Sequence, residues 1–140
     1  MRALIYTRTA VRTGRDAIGR QAEQCRAFAV SHGWAVTGVF TDDGASGTNM
    51  NRPAFRRVTD GMRNRAFDVL ITSTASVLTR RASDLESILA AADASGVAVV
   101  TADGIVDTST ELGVMTARIM TRFAGRWDED REEETHASAD

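Results

Sequence analysis

From Arg2 to Thr9 the side chains alternate and β-forming residues dominate, which predicts a strand. Asp16 then reads as an N-cap before a helix over Ala17 to His32, ended by Gly33. Ile18, Ala22, Cys25 and Ala29 fall at helical spacing and give that helix a buried face, which makes Cys25 a core residue. Trp34 to Thr41 predicts a second strand, and the Asp, Gly, Ser, Thr and Asn of Asp42 to Asn51 predict a loop. Pro53 sits well at a first helical position, and Phe55, Val58 and Met62 supply the apolar face that follows.

Phe67 to Thr72 predicts a third strand and Val97 to Thr101 a fourth. Between them, Ser83 with Glu86 reads as a capping box opening a helix that Gly96 closes. Thr108 with Glu111 reads as a second capping box, opening a last helix whose Leu112, Met115, Ile119, Phe123 and Trp127 recur every three or four residues. Leu112 and Met115 are expected to begin this stripe against the core. Phe123 and Trp127 extend past what a four-stranded domain covers, and are expected to carry the stripe onto a partner helix. Strands alternating with helices imply an α/β fold: a mostly parallel sheet of four to five strands, helices on both faces, and a long C-terminal helix. Ligands of such sheets lie beyond the carboxyl ends of the strands. That directs attention to the residues after Tyr6 to Thr9, to Asp42 to Arg52, and to Ser73 to Arg81.

Composition narrows the class. At 140 residues, 43% hydrophobic and 26% charged, the chain is expected to form one soluble domain over residues 1–127, with 128–140 an acidic helix extension or disordered tail. No apolar run approaches the roughly 20 residues of a membrane helix, and no signal peptide precedes the first strand, so a cytoplasmic protein without membrane contact is expected. The single Cys25 and the two histidines, His32 and His136, offer no zinc-ligand spacing, and neither a metal nor any other cofactor is expected. Seven of the 19 acids lie in Asp128 to Asp140 with one base, leaving sixteen bases against twelve acids in residues 1–127, a net +4 against −6. Every base is arginine, which a GC-rich genome explains without reference to phosphate recognition.

The three loops at the strand ends carry a pattern that resembles the resolvase/invertase-type serine recombinases. It consists of Tyr6-Thr7-Arg8-Thr9-Ala10, Gln21, Asp43-Gly44-Ala45-Ser46-Gly47 with Arg52-Pro53, and Leu78-Thr79-Arg80, in the family's order and spacing. Asp107-Thr108-Ser109-Thr110-Glu111-Leu112-Gly113 resembles the family's entry into its long dimerisation helix. The resemblance implies a catalytic domain that breaks DNA by attack of a serine hydroxyl on phosphorus. Arginines then serve as the electrostatic clamp, without a metal.

The chain departs from that pattern at the decisive atom. The nucleophile position, two after Arg8, is Ala10, and a methyl group cannot attack phosphorus. Thr7 and Thr9 are expected on the face opposite Arg8, which leaves Thr13 in the following loop as the substitute hydroxyl to consider. Ser76 and Val77 stand where the family has an acid and an arginine, and Trp127 and Asp128 where it often has a glutamate and an arginine. Arg8, Gln21, Ser46, Arg52 and Arg80 persist as a vestigial phosphate or DNA-binding set. Taken singly, each also has a plainer role: Gln21 in a hydrogen-bond network, Ser46 in a turn, the arginines as surface groups.

The expected function is therefore a recombinase-like domain that no longer cuts DNA. It would act by self-association along Met115, Ile119, Phe123 and Trp127, or by pairing with an active recombinase or another regulator. Weak non-specific DNA contact is expected, whereas sequence-specific binding by this chain alone is not, because its last residues are acidic. Two other readings stand beside this one. The first is a working recombinase using Thr13 or a partner's serine. The second is an α/β domain binding a small phosphorylated ligand, against which the absence of G-x-G-x-x-G and P-loop glycine patterns counts.

Overall fold

The computed structural model describes residues 1–10, 15–44 and 52–122. In chain order these form β1 (Arg2–Thr9), α1 (Arg15–Ser31), β2 (Ala35–Asp43), α2 (Pro53–Arg63), β3 (Val69–Thr72), the one-turn α3 (Ala75–Leu78), α4 (Ala82–Ala94) and β4 (Ala98–Thr101). A last helix, α5, occupies 111–122. The four strands form a parallel sheet in the order β2-β1-β3-β4. An isolated antiparallel bridge, Val100 to Asp107, adds a fragment of pairing beyond β4.

Strand periodicity divides the core in two. Ala3, Ile5, Val69, Ile71 and Val100 face α1, where Cys25 and Ala29 are fully buried. Leu4, Tyr6, Leu70 and Val99 face the opposite layer of α2, α3, α4 and α5. This alternation sends the Arg8 side chain to the same face as Tyr6, while the Thr7 hydroxyl meets that of Thr41 at 2.7 Å and the Thr9 hydroxyl donates to Asp43 at 2.8 Å. Gly33 and Gly96 end their helices at φ +71° and +72°, a conformation that glycine adopts without steric cost.

The helix starts differ from the sequence reading. Asp16 lies inside the first turn of α1. Ser83 is already helical in α4, whose N-cap is Arg81, so the capping box with Glu86 does not form; the Thr79 hydroxyl instead accepts from the Arg81 amide at 3.1 Å. Thr108 does not cap α5 either, because its hydroxyl is taken by the Val99 amide at 2.8 Å. Thr110 caps that helix, accepting from the Gly113 amide at 3.0 Å.

Contrary to the expectation for Leu112 and Met115, α5 turns its bulky stripe away from the core. Ala117 and Thr121 are buried, whereas Leu112, Met115 and Ile119 are 75%, 62% and 57% exposed. At 100° per residue the exposed trio and the buried pair occupy opposite faces. Small side chains let the helix approach closely, and its bulky stripe, Leu112 and Met115 included, faces outward. Phe123 and Trp127 lie outside the described residues, as do Thr13, Ser46, Asp128 and the acidic tail.

Candidate functional site

The carboxyl ends of β1, β2 and β3 meet where strand order changes direction, the usual place for a site in such a sheet. The end of β1 is fixed by a side chain that imitates a neighbouring strand. Gln21 accepts from the Arg8 amide through Oε1 and donates to the Arg8 carbonyl through its side-chain nitrogen, both at 3.0 Å. Gln21 thereby sets the backbone from which the Arg8 guanidinium and Ala10 project. Ala10 itself is exposed.

The Arg8 side chain runs inward and is 5% exposed. Its Nε donates to the Val77 carbonyl at 2.8 Å, and a terminal nitrogen donates to the Ser76 carbonyl. Arg52, 1% exposed, approaches the same turn from α2, donating to the Val77 carbonyl at 3.3 Å and to the Leu78 carbonyl. Its guanidinium lies 4.6 Å from the centre of the Phe55 ring and 5.6 Å from that of Tyr6. Burial lowers the Arg8 pKa from its ordinary value, and the nearby Arg52 charge lowers it further. Arg80 alone of the three expected arginines is exposed, close enough to add to that repulsion.

Asp42, which the sequence reading left in a loop, is buried at the carboxyl end of β2. It accepts from the Tyr6 hydroxyl at 2.7 Å and from the amides of Ala54 and Phe55 at 2.9 and 3.0 Å. These bonds satisfy the first turn of α2, whose N-cap residue, Arg52, makes no capping bond with its own side chain. Arginine at a cap position carries no acceptor, and that is the sequence signal pointing to an outside carboxylate. Burial, then the hydrogen bond to Asp42, hold the Tyr6 phenol well above its ordinary pKa, so it remains protonated.

Ser76 is exposed, with its hydroxyl 2.8 Å from that of Thr74, and Val77 packs its side chain into the core. The structure therefore brings Arg8, Gln21, Arg52, Ser76 and Val77 into one contact network, with Arg80 at its rim. What it offers is fixed positive charge with no hydroxyl at position 10. Among the described residues no group of three or more His, Cys, Asp or Glu is arranged to hold a metal. No described helix is long and apolar enough to cross a membrane.

The family model for the resolvase N-terminal domain matches residues 3–139. The chain belongs to this family. Among solved structures, this resolvase domain is similar to the N-terminal catalytic domain of TP901-1 integrase, at 25% identity and a TM-score of 0.83, covering 96% of this chain and 99% of that one. It is also similar to the C-terminal catalytic domain of ISC1926 TnpA, an IS607-like serine recombinase, at 28% identity and a TM-score of 0.68, covering 90% and 84%. A resolvase family site-specific recombinase from Streptococcus pneumoniae shares the fold, with a TM-score of 0.71 at 19% identity over 99% and 98% of the two chains. No curated protein matches the sequence.

Proposed function

We propose that this resolvase domain does not cleave DNA and acts through protein association in a DNA-related process. The observation that carries the reading is Ala10. It follows β1 two residues beyond the anchored Arg8, at the position where members of the family place the attacking serine, and it has no hydroxyl. Among the described residues, the hydroxyls that precede it on β1 are engaged elsewhere: Thr7 bonds across the sheet to Thr41 and Thr9 to Asp43. The outward stripe of Leu112, Met115 and Ile119 supports self-association. Burying such side chains contributes roughly 1.5 to 3 kcal/mol each, against the cost of association. A second copy of the chain is the occupant proposed, with an active recombinase as the heterologous alternative. Contact with DNA phosphate is weak and salt-sensitive and begins at Arg80, the exposed member of the arginine set.

Incubation with recombinase-site duplexes followed by denaturation tests the first part. No protein-linked DNA is expected from the wild type or from Ala10→Ser, because the acid and arginine positions remain Ser76 and Val77. A covalent product from the wild type refutes the reading, and one from Ala10→Ser shows that the other departures are immaterial. Sedimentation tests the second part: a concentration-dependent dimer is expected, reduced to monomer by Ile119→Asp.

A further inference from the structure

A guanidinium that serves a phosphate must present its donors to the place the phosphate will occupy. In this domain two nitrogens of each guanidinium, Nε and one terminal nitrogen of Arg8 and both terminal nitrogens of Arg52, already face carbonyl oxygens of the chain itself. Arg8 spans those of Ser76 and Val77, and Arg52 spans those of Val77 and Leu78, so the Val77 oxygen accepts from both. Those oxygens belong to α3, a helix of one turn whose last carbonyls have few partners within the helix and carry partial negative charge. The Thr79 backbone is extended at φ −165°, so the helix stops there and leaves those oxygens to be satisfied from outside.

We infer that Arg8 and Arg52 form an internal clamp, the C-terminal cap of α3, and that the clamp closes this site to phosphate. Four further observations agree with it. The two side chains are almost inaccessible, at 5% and 1% exposure. The Arg52 charge is also held by the rings of Tyr6 and Phe55. Asp42, whose charge acts on Arg8, is engaged by the Tyr6 hydroxyl and the α2 amides. Val77 and Leu78 meanwhile send their side chains into the core, so α3 is fastened by apolar packing on one side and by two cations on the other. A phosphate reaching either arginine must displace backbone carbonyls whose side-chain cap, among the described residues, is this pair. The inference goes beyond the proposed function, since it concerns how the fold uses these cations and holds whether or not the domain dimerises.

The test uses the full chain with inorganic phosphate as probe. Thermal unfolding is followed with phosphate and with chloride at matched ionic strength, for the wild type, Arg52→Met and Arg8→Met. Phosphate is expected to leave the wild-type Tm where chloride leaves it, and each variant is expected to lose on the order of 10 °C as buried carbonyls go unsatisfied. Should a variant fail to fold, the wild type still decides. The Arg8 Nε–H resonance is expected to be protected from hydrogen exchange and unmoved by phosphate at tens of millimolar. Stabilisation by phosphate that persists in Arg80→Ala, a shift of that resonance on titration, or a Met variant as stable as the wild type overturns the inference.

Discussion

Alanine at position 113 sets two effects of opposite sign against each other. In an open helix, Gly→Ala stabilises by about 1 kcal/mol, because alanine loses less backbone entropy. At Gly113, however, a Cβ would stand 1.5 Å from the carbonyl oxygen of Asp107. Carbon–oxygen contacts ordinarily lie near 3.3 Å, so one partner must retreat by roughly 2 Å. Both are backbone, and neither can swing aside as a long side chain does. Asp107 is held by its bridge to Val100, and the adjoining Thr108 exchanges two hydrogen bonds with Val99, at 2.9 and 2.8 Å. Gly113 is held by the Thr110 cap. Loss of two or three such bonds costs about 2 to 4 kcal/mol, and subtracting the propensity gain leaves about 1 to 3 kcal/mol of net destabilisation.

For a chain of this size that corresponds to a fall in Tm of roughly 4 to 10 °C. Gly19 provides the control. It lies within α1 with nothing within 4 Å of an added Cβ, so Gly19→Ala is expected to raise Tm by about 3 °C. Calorimetry on the two variants separates the effects. If Gly113→Ala melts at or above the wild type, then α5 does not lie against the Asp107 backbone, and the outward placement of Leu112, Met115 and Ile119 loses its basis.

Removing the Asp42 carboxylate as Asp42→Ala leaves the Tyr6 hydroxyl and two α2 amides without their acceptor, and denaturant unfolding is expected to show a loss of about 2 to 4 kcal/mol. A loss under 1 kcal/mol would show that solvent replaces those bonds. Cys25 is fully buried and its thiol is pushed up to about 12 by burial, so iodoacetamide labelling at pH 8 is expected to follow unfolding and not the thiol's intrinsic reactivity. Because the folded pKa is the higher one, the thiol's contribution to stability is complete below the unfolded value near 8.5 and is lost as pH rises from there through about 12. Melting temperatures of wild type and Cys25→Ala that fall in parallel across that range would show that the thiol contributes nothing to the alkaline loss.

Much of the fold was legible because each strand is bounded by a glycine, a loop signal or an amphipathic helix. The β1 alternation correctly separated Arg8 from Thr7. What periodicity could not supply was direction. Leu112, Met115 and Ile119 mark a face of α5, but a stripe does not say whether it points inward, and the inward face is built from Ala117 and Thr121, whose small side chains give no strong signal. The caps failed for a related reason. Thr108 and Ser83 are suitable capping residues, yet the Val99 amide claims the first and the second falls one residue inside its helix. The site arginines were legible as types and positions, but their burial was not, since it depends on a one-turn helix with no sequence periodicity of its own.

On the proposed reading, that burial accounts for which parts of the family's pattern stand in this chain and which do not. Gln21 holds the backbone of Arg8, and Arg8 and Arg52 cap α3, so each is a member of the fold as well as of the site. Replacing any of them would leave buried polar groups unsatisfied whether or not DNA is ever touched. Positions 10 and 76 are exposed, and a change there leaves the buried network intact. Val77 is the instructive middle case: its side chain joins the core while its carbonyl anchors both arginines, so an apolar residue serves the fold there. On the proposed reading, a domain released from cleaving DNA can lose its exposed chemistry while folding stability retains its buried cations. Arginines in a recombinase-like pattern are then a weak sign of activity, and the residue at position 10 is a strong one.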